Sequence, residues 1–259
     1  MKTIFGDVVL GWNNFPDNQL TRCPVHKKFE AVMVRLLPKG CSFLDVGAHF
    51  GDTIITMAMR AKTINRLDIR FFAFEPNTLK CDHIRKIARL NGLTSVCVIN
   101  TGVGDKRTRI QTDGMSDELT GACSYREAPD GAAAMIKLDD VQGQVEPVGF
   151  LHIDVEGWEA KVILGAQKII QNPINRICIV AECWTTFRYK RRNFGTDPCM
   201  DIAHSMKPHD TYTRYADLVD IQTNLVFAPK RSCNIQRLLV ICQGIQNKKK
   251  RKTTPRKLL

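Results

Sequence analysis

Two carboxylates stand at the ends of short apolar runs. Asp45 opens the turn Asp45-Val-Gly47-Ala-His49-Phe-Gly51 after Phe43 and Leu44, and Glu75 closes the run Phe71-Phe72-Ala73-Phe74. Thirty residues separate the two acids, an interval that holds a strand, a helix and a second strand. A glycine turn between strand and helix lets a small ligand approach the backbone, because glycine has no Cβ to block it. The spacing is neither the G-x-G-x-x-G of dinucleotide enzymes nor the G-x-x-x-x-G-K-[ST] of nucleotide triphosphatases. Both of those bring a helix N-terminus to a phosphate. Here the turn begins with an acid where the centre of a ligand would sit. That suits a cationic ligand, such as the ammonium and sulfonium of S-adenosylmethionine (SAM). An acid at the tip of the second strand can accept both ribose hydroxyls. NAD-binding folds use such an acid too, so the glycine turn separates the two cofactors better than Glu75 does.

Asp154 and Glu182 end two more apolar runs, 149–154 and 177–182. A methyl acceptor that is a hydroxyl must lose its proton, directly to a base or through a metal. Asp154 is the candidate base, with metal ligand or ligand of the methionine ammonium as its alternatives. Asp154 and Glu182 together could hold magnesium, although two acids are few ligands for a hard cation. His49, in the glycine turn, and His152, two residues before Asp154, are the rival proton acceptors. A lone histidine in a buried strand is more often a hydrogen-bonded core residue. Glu159 reads first as a charge favoured by a helix N-terminus.

Residues 150–166, Phe150-Leu-His152-Ile-Asp154-Val-Glu156-Gly157-Trp158-Glu159-Ala-Lys-Val-Ile-Leu-Gly165-Ala166, resemble the signature of the FkbM family of SAM-dependent methyltransferases. So does Ile136-Lys-Leu-Asp-Asp140-Val. The Asp45 turn, Phe74-Glu75-Pro76 and Ala181-Glu182 follow in the family's order, and the resemblance spans roughly residues 40–183. The chain departs from the family at His152, where lysine is usual, and at Trp158, where a small or polar residue is commoner. Both departures bear on the acceptor pocket. The resemblance implies O-methylation of a hydroxyl on a sugar or glycan, with Asp154 at the active site. An RNA ribose 2′-O-methyltransferase and a non-catalytic SAM-fold binding protein are the competing functions. Intact acids and glycines argue against the last.

The elements that must carry these residues follow from periodicity. Strands are expected at 42–46, 70–75, 96–100, 149–154 and 177–182, with two more near 211–215 and 223–228. Helices are expected at 24–37, 52–62, from Asn77 or Thr78 to Asn91-Gly92, at 158–171, and near 198–206. The stripe of the third helix is read as Leu79, Ile84, Ile87 and Ala88. The loop Thr101-Gly-Val103-Gly-Asp105 lies where adenine would meet backbone, which adds Val103 to the cofactor candidates. Residues 106–135 read as irregular, with a strand near 108–112. Continuous apolar runs alternating with helices predict an α/β fold, a doubly wound, mostly parallel seven-stranded sheet with helices on both faces. The ligand then sits outside the carboxyl ends of the strands. The expected division is a cap segment at 1–40, a methyltransferase domain at 41–246 and a basic tail at 247–259.

The 259 residues suffice for one such domain with a sizeable core. No run of about 18 apolar residues is present, so no membrane span is expected, and the first residues lack a signal-peptide core. The ten cysteines include no C-x-x-C pair. They are read as reduced thiols of a cytoplasmic protein, Cys97 and Cys178 as small buried hydrophobes. Residues 247–259 hold seven positive side chains and no negative one, so the rest of the chain carries +5 of the +12. Such a tail is a solvated terminus, a nuclear localisation signal or a nucleic-acid-binding arm. Mixed aromatic and basic residues at 184–195 offer a second basic patch.

Overall fold

The computed structural model describes residues 33–113, 124–182, 198–206, 212–215 and 224–229. The segments 184–195 and 247–259, and most of the expected 24–37 helix, lie outside these; residues 33–36 are helical. In chain order the elements are β1 (Ser42–Val46), α1 (Asp52–Thr63), β2 (Arg70–Phe74), α2 (Thr78–Leu90), β3 (Val96–Ile99), β4 (Gly102–Val103), β5 (Thr108–Thr112), β6 (Tyr125–Glu127) and β7 (Ala133–Ile136). A 3₁₀ turn (Leu138–Val141) and α3 (Gln142–Val145) lead to β8 (Val148–Ile153). Then come α4 (Glu159–Leu164), α5 (Gln167–Gln171), β9 (Cys178–Glu182), α6 (Pro198–Ser205), β10 (Tyr212–Tyr215) and β11 (Asn224–Pro229).

Seven strands form one sheet in the order β10-β11-β9-β8-β1-β2-β3. Pairings from β9 to β3 are parallel; β11 and β10 close the other edge antiparallel. The pleat sorts alternate residues into two cores. Phe43, Phe71, Ala73, Phe150, Cys178 and Val180 join α1 and α2 on one face. Leu44, Val46, Phe72, Phe74, Leu151, Ile153, Ile179 and Ala181 join α4 and α5 on the other. Phe43 stacks on Phe150 at 4.7 Å between ring centroids and tilts against Phe71 at 5.7 Å. Each ring buried this way is worth about 1.5–3 kcal/mol of transfer free energy. The row immediately above this aromatic row, in register, is Ala73, Asp45, His152 and Val180. A polar pair thus takes the place of core where the strands end.

Four expectations need correcting. The described part of 106–135 is more regular than expected: besides the expected strand at 108–112, which is β5, β6 and β7 are strands, and β4, β7, β5 and β6 form a second, four-stranded sheet. Its strands are short and half-exposed, so they lack a continuous apolar run. The helix expected at 158–171 is two helices. They break at Gly165-Ala166, where the backbone runs against Gly104 so closely that a Cβ on Gly165 would stand 1.9 Å from the Gly104 carbonyl oxygen. The buried stripe of α2 runs through Lys80, Cys81, Ile84, Ile87 and Ala88, while Leu79 is exposed. Cys97 is exposed on β3, the last strand of the sheet, whereas Cys178 is buried. Among the described residues no helix is long and apolar enough to cross a membrane.

Candidate active site

At the carboxyl ends of β1, β2 and β8 a cavity of about 290 Å³ opens. Asp45, Gly47, His49, Glu75, Val103, His152 and Asp154 all line it. Gly51 does not; a Cβ there would meet Ile84 and Ile55 at 3.0 and 3.1 Å, so Gly51 brings α1 close to α2. Gly47 also has a reason other than ligand approach. Its φ is 84°, and a Cβ would lie 1.9 Å from the backbone oxygen of Asp154. The turn after β1 and the motif after β8 are therefore in backbone contact, reinforced by the Asp154 amide donating to the Val46 carbonyl at 3.0 Å.

Asp45 and His152 are register partners on one face of the sheet. Asp45 Oδ1 lies 2.8 Å from His152 Nδ1, while Asp45 Oδ2 is buried without a partner. Burial alone would lower the imidazole pKa. The hydrogen bond to Asp45 and the charges of Asp45, Asp52 and Glu182 outweigh it, and the pKa is raised. Asp45 thus favours a proton on this ring, at the position where the family usually has a lysine. With Nδ1 engaged and the ring inclined to hold its proton, His152 is a poor proton acceptor near neutral pH. His49 is the opposite case. Burial first, then Lys80 and His83, pull its pKa down to about 3. It stays neutral, and its weak basicity counts against proton abstraction.

Glu75 accepts from the backbone amides of His49 and Asn77, each at 2.9 Å, which ties the end of β2 to the turn after β1. Its pKa is raised by burial, against the two amides and Lys80. Each carboxylate oxygen keeps a further lone pair for a ligand hydroxyl. Asp52, the first residue of α1, also lines the cavity, its pKa raised by burial and by the charge of Asp45.

Asp154 follows β8, and Glu182 ends β9 beside it. The Asp154 carboxyl is held well above the usual range. Burial is the main cause, followed by the charge of Glu182 and a hydrogen bond shared with it; Glu156 and Glu159 add to the effect. A second carboxyl in such contact disfavours the ionised form of Asp154. The expected magnesium site is not supported. Among the described residues no three His, Cys, Asp or Glu side chains converge to hold a metal.

The loop between Asp154 and α4 is built around Glu159. Glu156 and Gly157 have φ of 57° and 104°. The buried Glu159 carboxyl accepts from the amides of Val155 and Gly157, both at 3.1 Å. Burial raises its pKa to about 7, with the amides pulling the other way. The helix-terminus reading is thus refined: Glu159 serves the loop amides ahead of its helix. The Ile136–Val141 motif is also structural. Asp139 accepts from the amides of Lys168 and Ile169 at the start of α5, and Asp140 pairs with Arg107 at 2.8 Å. Opposite the acids, Ile110, Tyr125 and Met135 of the second sheet make an apolar wall with Trp158, whose ring lies under Lys161 Nζ at 3.9 Å.

Sequence reasoning missed Asp52, Lys80 and this apolar wall. Lys80 had a signal, since it falls four residues before Ile84 on the buried stripe. The wall had none, because its members come from three short strands and a loop.

The residues present fit a cation-bearing nucleoside. Asp45, Asp52, Glu75, Asp154 and Glu156 give the cavity an acidic lining, and a buried carboxylate oxygen of Asp45 is left for a donor. Strand order and site together define a SAM-dependent methyltransferase. Residues 45–197 match the model of the Methyltransferase FkbM domain, and the chain belongs to that family. No curated protein matches the sequence. Among solved structures it is similar to cofactor-bound Rv0187 from MTB, at 13% identity and a TM-score of 0.50, over 83% of this chain and 84% of that one. It is also similar to the O-methyltransferase from Bacillus cereus in complex with SAH, at 14% identity and a TM-score of 0.48, over 82% and 83%. Methyltransferase FkbM from Methylobacillus flagellatus KT aligns at 15% identity and a TM-score of 0.44, over 72% of this chain. The present chain spans 43% of that protein's length.

Proposed function

We propose that the protein transfers a methyl group to a hydroxyl of a sugar or glycan. The observation that carries the hydroxyl reading is the Asp154 carboxyl lining the cavity, with Glu182 at the end of the neighbouring strand beside it. SAM, when bound, supplies an electrophilic methyl group. Asp45, through its unpartnered oxygen, holds the ammonium; Glu75 holds the ribose hydroxyls; the Gly102–Val103 backbone borders the adenine. Asp154, in its ionised form, takes the acceptor's proton and is neutralised by it, which removes the repulsion from Glu182 beside it. A carboxyl raised above its usual range is a stronger base than an ordinary aspartate, which suits a weakly acidic hydroxyl. The sugar or glycan class is supported by the family resemblance.

The test is incubation with labelled SAM and a panel of glycans and RNAs. Methyl groups in a glycan fraction, lost in Asp154→Asn, support the reading. Labelling of RNA alone overturns the acceptor class. Activity that disappears with a chelator and returns with magnesium overturns direct proton removal.

A further inference from the structure

Lys80 is the buried cation that the reaction scheme leaves unused. Its residue is only 3% exposed, and it lines the cavity from the first turn of α2. Among the described residues its Nζ makes no hydrogen bond or ion pair; it lies over the Phe50 ring, 5.4 Å from the centroid. Its backbone amide donates to the Asn77 side chain, and the Asn77 amide donates to Glu75, so Lys80 and Glu75 belong to one local network. Its stem is buried while its ammonium borders the cavity, and the face of an aromatic ring satisfies none of its three N–H donors with a hydrogen-bond acceptor. Such a group is kept in a cavity when a ligand supplies the acceptor.

The neighbouring group narrows the ligand. Glu75, when ionised, only accepts hydrogen bonds, and Lys80 only donates them. A ligand group lying against both must donate and accept at once. Hydroxyls do this; a carboxylate or an ammonium does not. We infer that Lys80 is a further cofactor-binding residue, its ammonium donating to the ribose hydroxyl oxygens whose protons Glu75 accepts. The inference rests on the proposed SAM site. It assigns recognition of the ribose to an acid and a base from the β2–α2 junction rather than to the acid alone.

Calorimetry with S-adenosylhomocysteine and its 2′,3′-dideoxy analogue tests this, with melting temperatures of the ligand-free proteins alongside. Lys80→Met keeps the buried stem and removes the charge. It is expected to weaken S-adenosylhomocysteine binding about ten- to a hundred-fold while changing affinity for the dideoxy analogue less than about twofold. The ligand-free variant should melt no lower than the wild type, because the change breaks no hydrogen bond or ion pair of Nζ among the described residues. Lys80→Gln, which retains an N–H donor, should recover part of the discrimination between the two ligands. Equal losses for both ligands, unchanged affinity, or weaker binding with a lower melting temperature overturn the role of Lys80 alone. A wild type that binds neither ligand overturns the cofactor reading beneath it.

Discussion

Asp45 and His152 face each other across the β1–β8 register with 2.8 Å between Oδ1 and Nδ1, and this contact leaves the second Asp45 oxygen buried without a partner. The histidine thereby fixes which carboxylate edge is open to a ligand. Asp45→Asn is expected to weaken binding of S-adenosylhomocysteine by roughly 1.5–3 kcal/mol, since a charged hydrogen-bond acceptor is lost. Calorimetric titration measures it. Affinity equal to the wild type would show that the ammonium is held elsewhere.

Asp154→Asn should separate binding from turnover. The amide preserves size but cannot take up a proton, and loss of a general base typically costs about 10²–10⁴ in rate. Cofactor affinity should stay within a few-fold. Single-turnover rates and a binding isotherm on the same preparation decide the matter; parallel losses would make Asp154 a cofactor ligand instead.

Glu159 predicts a pH dependence of stability. Its carboxyl pKa, raised by burial from 4.5 to about 7, means that the folded state binds more protons than the unfolded state between those values. Its favourable contribution is complete below the unfolded pKa and is lost as pH rises towards 7. Glu159→Gln mimics the protonated form. The variant should therefore melt close to the wild type near pH 4.5 and gain on it by pH 8, by an amount on the order of 1–3 kcal/mol. A melting-temperature difference that does not change with pH would contradict this.

Gly47→Ala should destabilise the fold as well as the site. The methyl would meet the Asp154 carbonyl at 1.9 Å, at a φ of 84°. The left-handed backbone alone costs about 1–2 kcal/mol, and each kcal/mol lowers the melting point of a chain this size by about 2–4 °C. A fall of less than about 2 °C in thermal denaturation would show that the two turns can separate freely.

The sequence by itself determined the parallel core of the sheet. β1, β2, β8 and β9 carry apolar residues at successive positions, because both faces are covered, and that pattern is readable one residue at a time. It also placed Asp45, Glu75, Asp154 and Glu182 at one edge, since each acid interrupts an apolar run where its strand stops. Three things were decided only by tertiary structure. The second sheet joins strands of two to five residues, with no local period long enough to announce it. Gly47 and Gly165 are required by distant carbonyl groups, Asp154 and Gly104, which no spacing could name. The roles of the histidines depend on their surroundings: His152 pairs across the register with Asp45 and tends to keep a proton, whereas His49 sits beside Lys80 and stays neutral. Residue type limits what a side chain can do, and the field of its neighbours in the folded chain selects which of those things it does.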